Sequence, residues 1–189
     1  MRKCFVGMVM VLGLVIAGCG GSKEVKVPGF MTNPPTDPNY LFAVATATSR
    51  DMQLALDKAK QDGRVDIASQ LKSRVMGLIK KFDEEVGKTS DSELLQQFTK
   101  VSKTVVDQTL VGCRVRKQEV RKEGELYRAY VLMELPLAAA KEALLNQIKQ
   151  REHLYTRFRA SQSFKELEEE VQKLRDFEKE QEKGVMGGE

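Results

Sequence analysis

The feature that most constrains the fold is a run of apolar residues that recur every three or four positions between Met52 and Val86. This spacing predicts one long amphipathic α-helix, whose apolar face must be buried against other elements. Ser49 is the predicted N-cap, with Asp51 in the first turn. Gly63 lies within the apolar face and should weaken or bend the helix by up to about 1 kcal/mol relative to alanine. The predicted face consists of Met52, Leu56, Ala59, Gly63, Ile67, Leu71, Val75, Leu78, Phe82 and Val86.

The segment before this helix, YLFAVATAT at residues 40–48, is rich in aromatic and β-branched residues and predicts a β-strand. Side chains alternate between the two faces of a strand, so Phe42, Val44, Thr46 and Thr48 share one face and alanines occupy the other. The small side chains of the second face predict that a helix packs closely over it.

A second helix is predicted after the sequence GKTSDSE, with Ser90 or Asp91 as its cap. Residues 113–135 then predict a hairpin of two strands around Gly124. Pro136 ends the hairpin and is tolerated at the start of a third helix, LAAAKEALLNQIKQ. The apolar face of the second helix is predicted to contain Leu94, Leu95, Phe98, Val101, Val105 and Leu110, and the inward residues of the last strand are Tyr127, Ala129, Val131, Met133 and Leu135.

The order of strand, helix, helix, strand, strand, helix predicts an α+β fold. We expect a small, mostly antiparallel three-stranded sheet covered on one face by helices, with a long C-terminal helix. In that helix Phe164, Leu167, Val171 and Leu174 are spaced like a coiled-coil seam, but only for about one and a half heptads. A single solvated helix that packs back on the domain explains the same pattern.

The N-terminus has the layout of a secretory signal, because Arg2 and Lys3 precede an uncharged apolar run. That run is shorter than the roughly 20 residues of a membrane-spanning helix. It ends in Ile16-Ala17-Gly18-Cys19, which resembles the lipobox of bacterial lipoproteins. The resemblance implies that residues 1–18 are a signal peptide and that the thiol of Cys19 carries lipid. An uncleaved anchor helix, or a signal in which the cysteine is incidental, is the less favoured interpretation.

Residues 19–39 are predicted to be a lipidated flexible tether, because this stretch is rich in glycine and proline and has no sustained periodicity. Gly20 follows the lipidated cysteine in place of an aspartate, which favours the outer membrane in a host with two membranes. Cys113 would be the only free thiol of the mature chain. We expect it to be a small buried hydrophobe, with an intermolecular crosslink as the alternative.

Three stretches of residues 40–149 carry a family resemblance: YLFAVATATSRDMQLALDKAKQDGRVDIASQL, SELLQQFTKVSKTVVDQTLVG and the strand YRAYVLMELP. They resemble the LPP-twenty family of small bacterial lipoproteins, which includes a surface antigen and a flagellar-assembly lipoprotein. The resemblance implies an α+β domain with a structural or assembly role in the envelope, and no functional residue beyond Cys19. Such domains often have Asp-Ala-Arg where this chain has Asp62-Gly63-Arg64. Residues 150–189 lie outside the resemblance and are predicted to form a charged helical tail.

Motifs that suggest an enzyme lack the residues that their chemistry requires. Gly87-Lys88-Thr89 could end a phosphate-binding loop, but that loop needs a glycine at position 82, which is Phe82. Ser69 and Lys72 match the Ser-x-x-Lys of penicillin-binding enzymes without the accompanying motifs. His153 is the only histidine, which argues against a histidine triad or a multi-histidine metal site. We therefore predict a protein that is not an enzyme and that binds neither a metal nor a cofactor.

The charge balance bears on the partners. The chain has 31 basic and 27 acidic residues, and Arg2 and Lys3 belong to the predicted signal peptide, so the mature chain is close to neutral. This balance gives no support for nucleic acid as a partner. The absence of tryptophan weakens any case for a sugar-stacking site, and we expect no small-molecule substrate. The predicted partners are the membrane, through the N-terminal lipid, and envelope proteins or a second copy of the chain.

A regulatory lipoprotein is the alternative to a structural or assembly role. Such a protein would bind and activate a cell-wall or inner-membrane enzyme, and the exposed basic strand with Arg114, Arg116 and Lys117 would serve that purpose.

Overall fold

The computed structural model describes residues 26–87 and 92–186, with side chains given as far as residue 176 except for Ser92. The predicted signal peptide, Cys19 and the capping candidates Ser90 and Asp91 lie outside the described residues. The elements in chain order are α1 (Gly29–Thr32), β1 (Tyr40–Ser49), α2 (Met52–Glu85), α3 (Ser92–Thr109), a 3-10 turn (Leu110–Gly112), β2 (Arg114–Glu123), β3 (Leu126–Pro136), α4 (Ala138–Lys149), α5 (Glu152–Phe158) and α6 (Gln162–Met186).

The three strands form one antiparallel sheet in the order β1-β3-β2, which confirms the predicted α+β class. The β2–β3 connection is a tight turn in which Gly124 has a φ of +64°, a left-handed conformation that favours glycine. The predicted inward residues of β3 all pack in or against the main hydrophobic core. The helices α1 and α5 were not predicted, because so few residues give no measurable periodicity.

The helix α2 packs over β1 and β3, as the alanines of β1 predicted. Its apolar face is confirmed in the middle, but Met52 at its start is exposed and Ile79 is buried where Leu78 is only half-buried. The N-cap is Asp51, not Ser49, since the Asp51 carboxylate accepts a hydrogen bond from the Leu54 amide at 2.7 Å. Ser49 acts one step earlier, because its hydroxyl oxygen accepts from the Asp51 amide.

The buried face of α3 differs from the prediction at three positions. Phe98, Val101 and Val105 are buried as expected, but Leu95 is 60% exposed. The small side chains of Ser102 and Thr109 take buried positions instead, and the Thr109 hydroxyl donates to the Val105 carbonyl. The buried stripe of α3 therefore keeps its predicted centre and adds two small polar residues beside it.

The helix α6 packs back on the domain. Phe164, Leu167 and Val171 are buried in the same core as the inner face of α2, and the Phe164 ring lies edge-on to Phe82 at 5.6 Å. Ion pairs to α4 line the contact: Lys141 with Glu170, Lys149 with Glu168 and Arg175 with Glu142. The division of the chain into a domain (residues 40–149) and a tail (residues 150–189) stays a prediction. The buried side chains of α6 belong to the same hydrophobic core as those of the domain.

Two further contacts attach the C-terminal helices to the end of α2. The Arg157 guanidinium of α5 donates to Asp83 at 2.5 Å and to the Gly87 carbonyl at 2.7 Å. The Glu85 carboxylate accepts from the Ser163 hydroxyl and amide, and these hydrogen bonds hold the pKa of Glu85 below its usual value.

Part of the predicted tether belongs to the folded unit. Gly29–Thr32 forms a turn of helix that contacts β1 and β3, and Pro28 just before it is buried. Asn39, at the end of the predicted tether, accepts a hydrogen bond from the Leu137 amide at 2.8 Å.

Candidate interaction surface

The sheet has a second face, opposite α2, that we call the sheet face. Alternate residues of a strand point to opposite faces, so this face carries the residues that are out of phase with the core alanines of β1 and with Met133 of β3. It consists of Phe42, Val44, Thr46 and Thr48 of β1, Arg128, Tyr130, Leu132 and Glu134 of β3, and Arg114, Arg116, Lys117, Glu119 and Arg121 of β2.

The centre of the sheet face is buried although its residues do not belong to the main core. Tyr130 is 3% exposed, Leu132 is 1% exposed and Glu134 is 6% exposed. Long side chains of the outer strand β2 help to cover them: Arg121 lies over the Tyr130 ring, and Arg114 and Arg116 bind Glu134. The sheet face is therefore an ordered surface with its own small core.

An irregularity in β2 brings three cations to this face. The pairing of β2 with β3 shifts between Val115 and Lys117, so that Lys117 lies opposite Leu132 after Arg114 has lain opposite Glu134. In a regular strand, residues 114 and 117 would point to opposite faces. The extra residue of a β-bulge removes that alternation. Arg114, Arg116 and Lys117 consequently share the sheet face.

Glu134 holds two of these cations in place. The Arg114 Nε donates to one carboxylate oxygen at 2.7 Å, and the Arg116 Nη1 donates to the other at 2.9 Å. Burial raises the pKa of Glu134, but the hydrogen bonds and positive charges of the two arginines outweigh it and leave the pKa below its usual value. The same contact raises the pKa of Arg114. Two guanidinium groups therefore face one carboxylate, and the cluster has a net positive formal charge.

Arginine and aromatic side chains are paired at two places on the sheet face. The Arg116 guanidinium lies 5.3 Å from the centre of the Phe42 ring, and the Arg121 guanidinium lies 5.7 Å from the centre of the Tyr130 ring. The Arg121 Nε also donates to Glu119 at 2.6 Å. Stacking and ion pairing together fix the rotamers of long side chains that would otherwise be mobile.

A family comparison agrees with this fold. The model of the LPP20 lipoprotein family matches residues 28–135, more than half of the chain, from the residue before α1 almost to the end of β3. The chain belongs to the LPP20 lipoprotein family. It is thus a bacterial lipoprotein associated with the cell envelope. Searches of curated proteins and of solved structures gave no significant match.

The family region of this LPP20 lipoprotein starts earlier than the resemblance seen in the sequence. It includes α1, which the sequence assigned to the tether, and it ends before α4. The sheet and both of its faces lie inside the family region, whereas α4, α5 and α6 complete the helical layer from outside it.

The residues singled out in the sequence of the LPP20 lipoprotein fall in different places. Arg114, Arg116 and Lys117 come together, whereas Cys19 lies outside the described residues. Sequence reasoning did not identify Glu134 as the partner of the arginines. The available clue was a lone carboxylate in the apolar strand VLMEL, at a position out of phase with the inward residues.

Cys113 is buried and free, as expected for a small hydrophobe. Burial raises the pKa of its thiol, and Arg64 offsets only part of that effect. A buried, protonated thiol is a poor nucleophile, which disfavours the intermolecular crosslink.

The residues that suggested an enzyme in the sequence are exposed on the surface of two helices. Ser69 and Lys72 are both exposed on α2, and His153 is an exposed residue of α5 that contacts the Gln97 side-chain oxygen. Within residues 26–87 and 92–186, no three histidine, cysteine, aspartate or glutamate residues are grouped to hold a metal ion. No helix in the same ranges is long and apolar enough to span a membrane.

Proposed function

We propose that this LPP20 lipoprotein is anchored in the outer membrane by lipid on Cys19 and has a structural or assembly role in the envelope. It acts through protein–protein contacts made by the sheet face. The observation that carries the proposal is the clamp of Glu134 on Arg114 and Arg116, since it orders exposed cations on a surface outside the helical layer.

The composition of the sheet face supports a protein partner. Arginine and aromatic residues are enriched in protein interfaces, and arginine and tyrosine are frequent among the few residues that carry most of the binding energy. Side chains that are already ordered lose less conformational entropy when a partner binds. The ion pairs of Glu134 and Glu119 and the stacking on Phe42 and Tyr130 provide that order here.

The packing of α6 supports the choice of this face over the helical layer. Phe164, Leu167 and Val171 fill the groove that α2 and α4 would otherwise present to a partner. The apolar seam of α6 is thus buried within the chain, whereas the sheet face combines ordered charge with the half-buried ring of Phe42.

A regulatory role would use the same cations and is distinguished by the identity of the partner. We therefore propose to place a photo-reactive amino acid at position 117 in the lipidated chain in its own membrane, with position 72 on the outer surface of α2 as the matched control. Position 117 should capture envelope structural proteins or the chain itself, and position 72 should capture much less. Cell-wall synthases captured from position 117 would favour the regulatory role instead. Equal capture from both positions, or none, would contradict an interaction role of the sheet face.

The anchor is tested by Cys19→Ser, which removes the thiol that we propose takes the lipid. Metabolic labelling with a clickable palmitate should be abolished, and unprocessed precursor should accumulate. Cys113→Ala is the control, because that thiol is buried and should not be acylated. Normal labelling of Cys19→Ser would refute the lipoprotein anchor at this residue.

A further inference from the structure

The two outer strands of the sheet differ in how their edges are protected. Seven of the ten residues of β2 are charged, and its pairing with β3 is irregular. Charges and bulges are the usual means by which proteins prevent an edge strand from pairing with another chain. The sequence of β1, YLFAVATATS, has no charge and no proline, and its pairing with β3 is regular over all ten residues. An edge of this kind is expected to be paired in the functional state.

The free edge of β1 can be assigned residue by residue. The Gln70 side-chain amide of α2 donates to the Phe42 carbonyl at 3.0 Å, so that carbonyl points away from β3. In an antiparallel strand the N–H and C=O of one residue point to the same side, and every second residue repeats that direction. The backbone groups of Val44, Thr46 and Thr48 therefore also point outward. The Thr46 side chain is exposed, consistent with an open edge.

We propose that β1 pairs antiparallel with β1 of a second copy of this chain, with Thr46 opposite Thr46 of the second copy. This register places Val44 opposite Thr48 of the second copy. Val44, Thr46 and Thr48, whose backbone groups point outward, are then all paired. Gln70 already occupies the carbonyl at one end, and α2 begins just past the other. The three opposed pairs exchange about six N–H···O hydrogen bonds and join two sheets into one of six strands.

A second copy fits this edge better than a partner of unrelated sequence for two reasons. A two-fold pairing brings identical residues together, and a charge-free strand does so without placing like charges opposite each other. Lipid anchoring also holds copies in one membrane plane, which raises their effective concentration. The pairing therefore rests on the proposed assembly role and names one partner for it. In solution the contact is short, and we expect it to be weak.

Cysteine crosslinking of the lipidated chain in membranes tests the pairing. Thr46→Cys should give a covalent dimer with a short bismaleimide, because the two thiols face each other across the two-fold axis. Gln118→Cys, an exposed position on the charged strand β2, is the control and should give little dimer. The native Cys113 is buried and adds little background.

The register is tested by mixing differently tagged chains. Val44→Cys chains should crosslink to Thr48→Cys chains more than either crosslinks to itself. Adding Thr46→Lys should reduce the mixed product about fivefold or more, since two lysines would lie opposite each other. Adding Thr46→Val should leave the product unchanged. Dimer yields from Thr46→Cys no higher than from Gln118→Cys, or capture of Thr46→Cys by a different protein, would overturn β1 self-pairing. Capture of envelope proteins from position 117 does not require β1 pairing, so that result reports on the proposed function separately.

Discussion

Gly63 of α2 lies so close to Met133 of β3 that a β-carbon at position 63 would stand 2.6 Å from the Met133 Cγ. The same β-carbon would touch the Ala45 methyl group at 3.6 Å. The glycine thus allows α2 to approach the sheet where β1 carries alanines and β3 carries a methionine. Glycine lowers the intrinsic stability of the helix, but it permits close packing of α2 on the sheet.

Gly63→Ala should destabilise the domain by about 1 kcal/mol. Alanine gains up to about 1 kcal/mol of helix propensity, but an extra methyl group in a packed core costs about 1–3 kcal/mol. Gly77→Ala in the same helix is the matched control, because a β-carbon there meets nothing within 4 Å and should stabilise the protein. Urea unfolding of both variants measures the difference. A gain in stability for Gly63→Ala equal to that of Gly77→Ala would show that Met133 moves aside at no cost.

Glu134→Gln should lower stability at neutral pH by about 1–3 kcal/mol, since it removes charged hydrogen bonds from a buried carboxylate. The folded-state pKa of Glu134 lies below the ordinary value of 4.5. The contribution of the Glu134 carboxylate to the free energy of unfolding is therefore complete above that value, and it is lost as the pH falls through the folded-state pKa. The variant should lose less stability than the wild type when the pH is lowered below 4.5. Glu125→Gln, at an exposed turn position, is the control for thermal unfolding from pH 7 to pH 3. Parallel acid profiles of wild type and Glu134→Gln would argue against the clamp.

A soluble chain that starts at Gly20 should be mainly monomeric at micromolar concentration, because α6 buries its apolar residues within its own chain. Leu167→Asp should therefore act on folding and cost more than about 3 kcal/mol, since it buries a charge and removes core packing. Lys165→Asp, exposed on the same helix, should change stability by less than about 0.5 kcal/mol. Sedimentation of both variants measures self-association, and chemical unfolding measures the stability of the fold. A tight soluble oligomer that Leu167→Asp converts to a folded monomer would contradict intramolecular docking of α6.

The purified mature chain should neither hydrolyse nucleotides nor form a covalent adduct with a β-lactam. Ser69 and Lys72 lie on the exposed side of α2. Neither their Ser-x-x-Lys motif nor the phosphate-loop fragment Gly87-Lys88-Thr89 has the partner residues that its chemistry requires. Intact mass spectrometry after incubation with a penicillin measures the adduct, and Ser69→Ala is the control. A stoichiometric adduct that disappears in Ser69→Ala would establish an enzyme.

Local patterns in the sequence determined the order of the central elements, the α+β class and most inward residues. Alternation in β3 and the three-to-four spacing in α2 are properties of a few neighbouring residues, so each can be read without knowledge of the rest of the chain. The alanines of β1 even predicted close packing of a helix, because small side chains leave room for one. The resemblance to the LPP-twenty family followed from the same elements and was confirmed by the family match.

Tertiary contacts alone decided the other features. The role of Gly63 depends on Met133, which lies on another element and is remote in sequence. The ordering of Arg114 and Arg116 depends on the register of β2 against β3, and a one-residue shift in that register moves side chains to the other face. The apolar seam of α6 could pack against a second chain or against its own domain. In the structure it packs against its own domain, where Phe164 contacts the Phe82 ring. Periodicity shows which side of an element must be buried, but only the packed structure shows against what.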